Sequence, residues 1–185
     1  RSFHVTGVQT CALPIYPSYQ GNPLVNVMAI GLLETKELTL ASAPGPGNLV
    51  VLFGSATGRD GIGGASVLAS ATFTDDDPSK RPSVQVGDPF AEKLLIEASL
   101  ELIGRGLVEG LQDLGAGGIS CATSETADRA GTGMLVDLDA VPRREPGMEP
   151  FEVMISESQE RMLAVVRPDR RAAVEAVCAR WGLPC

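Results

Sequence analysis

The segment that most constrains the fold is residues 83–98, SVQVGDPFAEKLLIEA, because its pattern changes from extended to helical within a few residues. Asp88 is a residue type that caps helices through its side-chain oxygen, and Pro89 suits the first helical position, where no N–H is needed. Apolar and charged residues then separate onto two faces at helical spacing. The predicted inner face holds Phe90, Leu94, Leu95, Ala98 and Leu102, and the outer face holds Glu92, Lys93, Glu97 and Glu101. The segment therefore predicts an extended stretch, a turn and an amphipathic helix.

Extended and helical patterns alternate along the rest of the chain, which is typical of an α/β layer architecture. The Pro-Gly run at residues 43–47 is the clearest punctuation and a plausible domain boundary. We predict strands at residues 24–33, 49–53, 107–114, 134–138 and 161–166, and helices at 65–70, from Pro89 onward, to about Ala130 after the turn at 115–118, and at 168–181. Residues 74–82 and 141–150 are predicted to be loops.

The charge pattern limits the partners of this chain. A net charge of −8, from 15 basic and 23 acidic residues, argues against nucleic acid or an anionic membrane as a partner. No apolar run approaches the roughly 18 residues that a membrane span needs. Cys121, Cys178 and Cys185 have no metal-like or redox spacing, which fits free thiols in a reducing cytoplasm.

Residues 1–16 have no usable periodicity and lack the basic start and long apolar stretch of a secretory signal. Residues 5–15 look like the translation of a sequencing adaptor, so we expect a non-native, disordered leader that contributes nothing to the fold. His4, the single histidine of the chain, lies in this leader. Histidine-based acid–base chemistry is therefore not expected from the remainder.

Two segments before the helix predicted from Pro89 onward, one polar and one rich in glycine, have both a structural and a functional interpretation. Gln85 lies between two valines, so it fits the open face of a strand or a ligand contact at a strand end. The loop at residues 58–64 follows a strand and could hold an anion on its backbone amides. It lacks the third glycine of a dinucleotide fingerprint, because Ser66 occupies that place, so a tight structural turn is favoured.

Two further segments offer oxygen and amide groups at predicted strand ends. Asp113 ends a strand just before a flexible turn, where it could cap a helix or ligate a phosphate-bound Mg²⁺. Glu157, Ser158 and Gln159 precede an apolar strand and form a candidate hydrogen-bonding edge. Ser156 and Gln159 also fit a capping box, so a helix start is the alternative.

Four segments, in order, resemble phosphoribosylformylglycinamidine synthase, and the resemblance runs from about Pro17 to the end of the chain. They are YQGNPLVNVMAIGLL (residues 19–33), SVQVGDPFAEKLLIEA (83–98), GLQDLGAGGISCATSE (110–125) and FEVMISESQERML (151–163). The resemblance implies an aminoimidazole ribonucleotide synthetase-like C-terminal domain at residues 44–185, with a mixed sheet packed by helices. Residues 17–43 would then contain the last strand of an N-terminal-type domain.

The resemblance also implies a function. Enzymes of this family use ATP to phosphorylate the formyl amide oxygen of formylglycinamide ribonucleotide, and ammonia derived from glutamine then displaces phosphate to give the amidine. Carried over residue by residue, Gln85, Glu157, Ser158 and Gln159 would bind this substrate, and Asp113 would bind Mg²⁺. The implied partners are a glutaminase subunit and a small bridging subunit of the same cytoplasmic complex.

The family's catalytic histidine and ATP-contacting lysine precede the matching segment, so we expect an internal fragment, truncated at its end, that is inactive by itself. Two alternatives stay open. One is another ATP-dependent enzyme built on the same unit, such as a thiamine-phosphate kinase or selenophosphate synthetase, which should lack the GDPF and ESQ segments. The other is a non-catalytic binding or assembly module in which Asp113 and Gln85 are structural.

Overall fold

The structure is a computed structural model that describes residues 32–63 and 85–185. The chain divides into two compact units, residues 1–38 and 39–185. The described part of the first unit contains a 3-10 helix at Thr35–Glu37. The leader at residues 1–16, the helix predicted at 65–70, the loop predicted at 74–82 and most of the strand predicted at 24–33 lie outside the described residues.

The second unit is built on an antiparallel sheet whose strands are β1 (Leu49–Gly54), β2 (Gly110–Asp113) and β3 (Arg161–Val166), in the order β1-β3-β2. The central strand β3 has the sequence RMLAVV, and its last four residues are buried, as expected for an apolar run covered on both faces. The strands predicted at 49–53 and 161–166 are confirmed. The strand predicted at 107–114 is real but shorter.

Within the described residues, four helices pack on this sheet: α1 (Pro89–Gly104), α2 (Gly118–Ala130), α3 (Pro150–Ile155) and α4 (Arg171–Arg180). Helix α1 starts as predicted, because the Asp88 side chain accepts hydrogen bonds from the backbone amides of Phe90 and Ala91. The inward placement of Phe90 is wrong: 72% of this residue is exposed, since the first turn of α1 does not pack against the core. The predicted loop at 141–150 gives way to α3 at its last residue.

The strand predicted at residues 134–138 is also wrong. Residues 132–137 carry no strand pairing, and a 3-10 helix follows at Leu138–Ala140. Met134 and Val136 are half-buried and pack on a core cluster, whereas Leu135 is 96% exposed. The side chains alternate as in a strand, but the segment packs on the core through Met134 and Val136 without pairing with a described strand.

Apolar side chains from the two faces of the sheet form two separate core clusters. Ala164 and Val166 point to the face covered by α1 and α4, and Leu163 and Val165 point to the face covered by α2 and α3. The α1 and α4 side contains Leu95, Ala98, Leu102, Val174, Val177 and Cys178, while the α2 and α3 side contains Ile119, Ala122 and Val153. Within the described residues, none of the helices is both long and apolar enough for a membrane crossing.

Candidate functional site

The segments with candidate site residues leave the sheet at one edge. Because β3 is antiparallel to both of its neighbours, its first residue lies beside the last residues of β1 and β2. Arg161 pairs with Gly54, and Met162 pairs with Asp113. The loop after β1, the turn after β2 and the ESQ segment before β3 therefore meet there, and we call this region the site edge (residues 55–61, 113–118 and 156–161).

Glu157 connects three segments at the site edge. One carboxylate oxygen accepts a hydrogen bond from the Gln85 amide (Nε2 to Oε2, 2.7 Å), and the other accepts one from the backbone N–H of Gly117 (3.0 Å). Glu157 is only 3% exposed, whereas Gln85 is exposed. Gly61, with φ of 61°, passes so close that a Cβ there would lie 2.5 Å from the Glu157 Cβ. The structure thus brings Gln85 and Glu157 together from positions far apart in sequence.

Ser158 faces inward, onto the loop that follows β1. Its hydroxyl oxygen accepts a hydrogen bond from the backbone N–H of Gly58 (2.9 Å) and lies 2.5 Å from Asp60 Oδ2, to which it donates. The backbone N–H of Glu157 donates to the Asp60 carbonyl (2.8 Å). These contacts agree with the interpretation of residues 58–61 as a structural turn, since the loop packs directly on the ESQ segment.

Asp113 and Gln159 line the same groove, a cavity of about 360 Å³ beside α1. The Asp113 carboxylate is exposed and accepts a hydrogen bond from the neighbouring Gln112 amide (Nε2 to Oδ1, 2.7 Å). Gln159 is half-buried, and its amide donates to the Glu157 carbonyl (2.8 Å). Asp113 thus lies on the same edge of the sheet as Glu157, whose carboxylate contacts Gln85.

An exposed carboxylate beside an open groove fits Mg²⁺, which commonly takes one or two protein carboxylates and fills its remaining positions with water and phosphate oxygens. Asp113 has such an exposed carboxylate in the lining of the groove. Over the described ranges, no three Asp, Glu, Cys or His side chains come together as a metal cluster.

Arg161 is the residue that the sequence interpretation missed. It is 2% exposed, and its guanidinium donates to the Ser158 carbonyl (2.8 Å), the Thr57 hydroxyl (2.8 Å) and the Ser156 carbonyl (2.7 Å). Burial lowers the pKa of Arg161 to about 10, so the side chain stays charged near neutral pH. The available signal was a lone charged residue at the start of an otherwise apolar strand.

Ion pairs surround the loop after β1. Arg59 donates to Glu152 of α3 (Nε to Oε1, 2.8 Å) and to Glu145, and Arg144 contacts the Asp60 carboxylate at 2.5 Å. The hydrogen bond from Arg59 holds the pKa of Glu152 below its ordinary value. Every buried side-chain nitrogen and oxygen of the described residues has a hydrogen-bond partner. The site edge is therefore a fully paired polar network.

Exposure divides the five predicted site residues into two groups. Gln85 and Asp113 are exposed and Gln159 is half-buried, so these three side chains are accessible, and Asp113 and Gln159 line the groove itself. Glu157 and Ser158 are buried, and their side chains are engaged by Gln85, Gly117, Gly58 and Asp60. The buried residues Glu157 and Ser158 therefore fix the positions of the segments at the site edge, and the accessible residues extend from these segments toward solvent.

Comparison with known proteins places this architecture in a family. The family described as "AIR synthase related protein, C-terminal domain" matches residues 45–185. The chain belongs to this family, which confirms the predicted fold class.

The chain is also similar to one kind of enzyme subunit. It is 60% identical over 167 residues to "Phosphoribosylformylglycinamidine synthase subunit PurL" of Cutibacterium acnes, covering 90% of this chain and 22% of that protein. A structure described as "T. maritima PurL complexed with FGAR" matches with a TM-score of 0.73 and 52% identity, over 80% of this chain and 24% of that one. The ATP complex of the same protein matches with a TM-score of 0.69 and 45% identity, over 82% of this chain and 23% of that one. The chain spans about 22% of the length of the curated relatives it matches.

Proposed function

We propose that this chain is part of a phosphoribosylformylglycinamidine synthase and supplies one wall of its ribonucleotide site and one Mg²⁺ ligand. The observation that carries the proposal is the contact between Gln85 and Glu157 at the site edge, with Asp113 and Gln159 in the adjoining groove. The similarity to a PurL whose structure is described as complexed with FGAR supports the same conclusion. Neither alternative from the sequence explains this polar convergence as directly.

The proposed reaction is the ATP-dependent conversion of formylglycinamide ribonucleotide to its amidine. ATP transfers its terminal phosphoryl group to the formyl amide oxygen, and ammonia derived from glutamine displaces inorganic phosphate. When bound, Mg²⁺ would neutralise phosphate charge during this transfer. Asp113 would hold the ion, while the exposed amides of Gln85 and Gln159 would orient the ribonucleotide.

The proposal extends to partners and location. Ammonia would come from a separate glutaminase subunit, with a small bridging subunit completing the complex in the cytoplasm. One matching structure is described as "Structure of PurLQS from Thermotoga maritima", which supports a multi-subunit assembly in that protein. ATP is expected as a substrate because the T. maritima relative has structures described with ATP, ADP and AMPPCP.

Calorimetric titration of the chain with formylglycinamide ribonucleotide tests the proposal. We expect Gln85→Ala to weaken binding about tenfold, which corresponds to roughly 1.4 kcal/mol, because it removes a ground-state contact. Asp113→Asn should leave binding of the ribonucleotide to the chain unchanged and, in the complete synthase, impair Mg²⁺-dependent turnover of ATP. Asp169→Asn, which changes an exposed carboxylate beyond the opposite end of β3, is the matched control. Equal ribonucleotide affinity in the wild type and Gln85→Ala would contradict the proposal.

A further inference from the structure

Arg161 occupies an unusual position for a charged residue. It is 2% exposed at the start of the central strand, and an unpaired charge there would be costly. Its nitrogens reach three acceptors on two segments: the carbonyls of Ser156 and Ser158 and the hydroxyl of Thr57. A planar guanidinium can bind acceptors in three directions at once, which a lysine ammonium on a flexible stem does less well.

The two segments that Arg161 joins are those that carry the polar network. Ser156 and Ser158 flank Glu157, whose carboxylate holds the Gln85 amide at 2.7 Å. Thr57 begins the loop whose Gly58 and Asp60 backbone groups bind Ser158 and Glu157. Moving the Arg161 guanidinium would therefore displace both sides of the network and, with them, Glu157.

We propose that Arg161 is a positioning residue of the ribonucleotide site, which it shapes by fixing Glu157 where that carboxylate orients Gln85. The contact sequence is Arg161 to the Ser156 and Ser158 carbonyls, then Glu157, then Gln85. Arg161 borders the groove beside α1, but its guanidinium donates to the Ser156 and Ser158 carbonyls and the Thr57 hydroxyl, so its role is assigned through this network. This inference rests on the proposed function for the identity of the ligand. The contacts that link Arg161 to Glu157 and Gln85 do not depend on that function.

The test uses Arg161→Met, which keeps the apolar stem and removes every donor, and Arg161→Lys, which keeps a charge. Arg167→Met is the matched control, because Arg167 follows the opposite end of β3, is exposed and pairs with Asp169. In calorimetric titrations with formylglycinamide ribonucleotide, both Arg161 variants should lose about tenfold in affinity, as Gln85→Ala does, and Arg167→Met should lose none. If Arg161→Met fails to fold, the ribonucleotide affinity of Arg161→Lys decides the test.

A double-mutant cycle separates positioning from a general structural role. If Arg161 acts through Gln85, Arg161→Lys combined with Gln85→Ala should bind no more weakly than Arg161→Lys alone. If the fold-losses in affinity of the two single variants multiply in the double variant, the proposal is wrong. Wild-type affinity in the Arg161 variants would overturn it as well.

A measurement without ligand distinguishes failure of this inference from failure of the proposed function. The side-chain amide signals of Gln85 in a ¹⁵N NMR spectrum should shift toward free-glutamine values in Arg161→Lys and stay unchanged in Arg167→Met. Unchanged Gln85 signals in Arg161→Lys would overturn the positioning role. Absence of ribonucleotide binding to the wild-type chain would instead count against the proposed function, with the NMR result still deciding the role of Arg161.

Discussion

The site edge and the groove along β1, which is lined by residues 49–52 and 132–137 among others, differ in how closely their backbones are packed. At the site edge, a Cβ on Gly118 would lie 2.0 Å from the Ser156 carbonyl oxygen, and one on Gly54 would lie 2.2 Å from that of Glu160. The groove along β1 is a cavity of about 600 Å³, and Gly133 in its wall has no heavy atom of the described residues within 4 Å of such a Cβ. One region is interlocked and polar, while the other is open and apolar.

This difference indicates where the sequence is constrained. Interlocked backbone segments exclude even one added methyl group, and buried polar groups must keep their partners. An open apolar groove lets a shortened side chain be replaced by solvent without leaving a closed cavity. We therefore expect substitutions at the site edge to cost more than the same substitutions elsewhere.

The largest expected effect is at the first residue of α2, and the glycine that follows the last residue of α2 is the matched control. Gly118→Ala should destabilise the chain by on the order of 4 kcal/mol, because its Cβ would collide with the Ser156 carbonyl and push α2 from the ESQ segment. Gly131→Ala, also at a positive φ but with no described heavy atom within 4 Å, should cost only about 1 kcal/mol. Urea denaturation measures both, and equal losses would show that strain at positive φ, not the collision, dominates.

An intermediate effect is expected from removing one hydroxyl. Ser158→Ala should cost about 1–3 kcal/mol, because it leaves the buried Gly58 N–H without a partner and removes one of the two groups that bind the Asp60 carboxylate. Ser124→Ala on exposed α2 surface, where the hydroxyl bonds to the Ser120 carbonyl, should change stability by less than about 0.5 kcal/mol. Thermal and urea unfolding give both values. If the two serines cost the same, the site edge is not the constrained network described above.

The smallest difference between paired variants is expected for neighbouring valines on the two faces of β3. Val166→Ala should cost about 2–3 kcal/mol, because it opens a closed cavity under α1 and α4. Val165→Ala should cost roughly 1 kcal/mol less, because Val165 lines the open groove along β1. A larger loss at Val165 in urea denaturation would mean that the groove is closed in solution.

Much of the fold could be predicted because its signals are local. The Asp88 cap, the Pro89 start, the apolar run of β3 and the stop of α4 before Gly182 each depend on a few adjacent residues. The family resemblance, which is confirmed, added the candidate site residues, and their roles stay predictions. The strand predicted at 134–138 failed because side-chain alternation reports a buried face and contains no information on a pairing partner.

The sequence by itself determined which segments are helical or extended and which residue types lie at strand ends, since these follow from backbone preferences and short-range spacing. Only the tertiary structure decided that Gln85 meets Glu157, that Ser158 faces the loop after β1, and that Arg161 is buried between them. The physical reason is that such contacts join residues 72 to 104 positions apart. Their geometry depends on the antiparallel register of three strands, which no local pattern encodes.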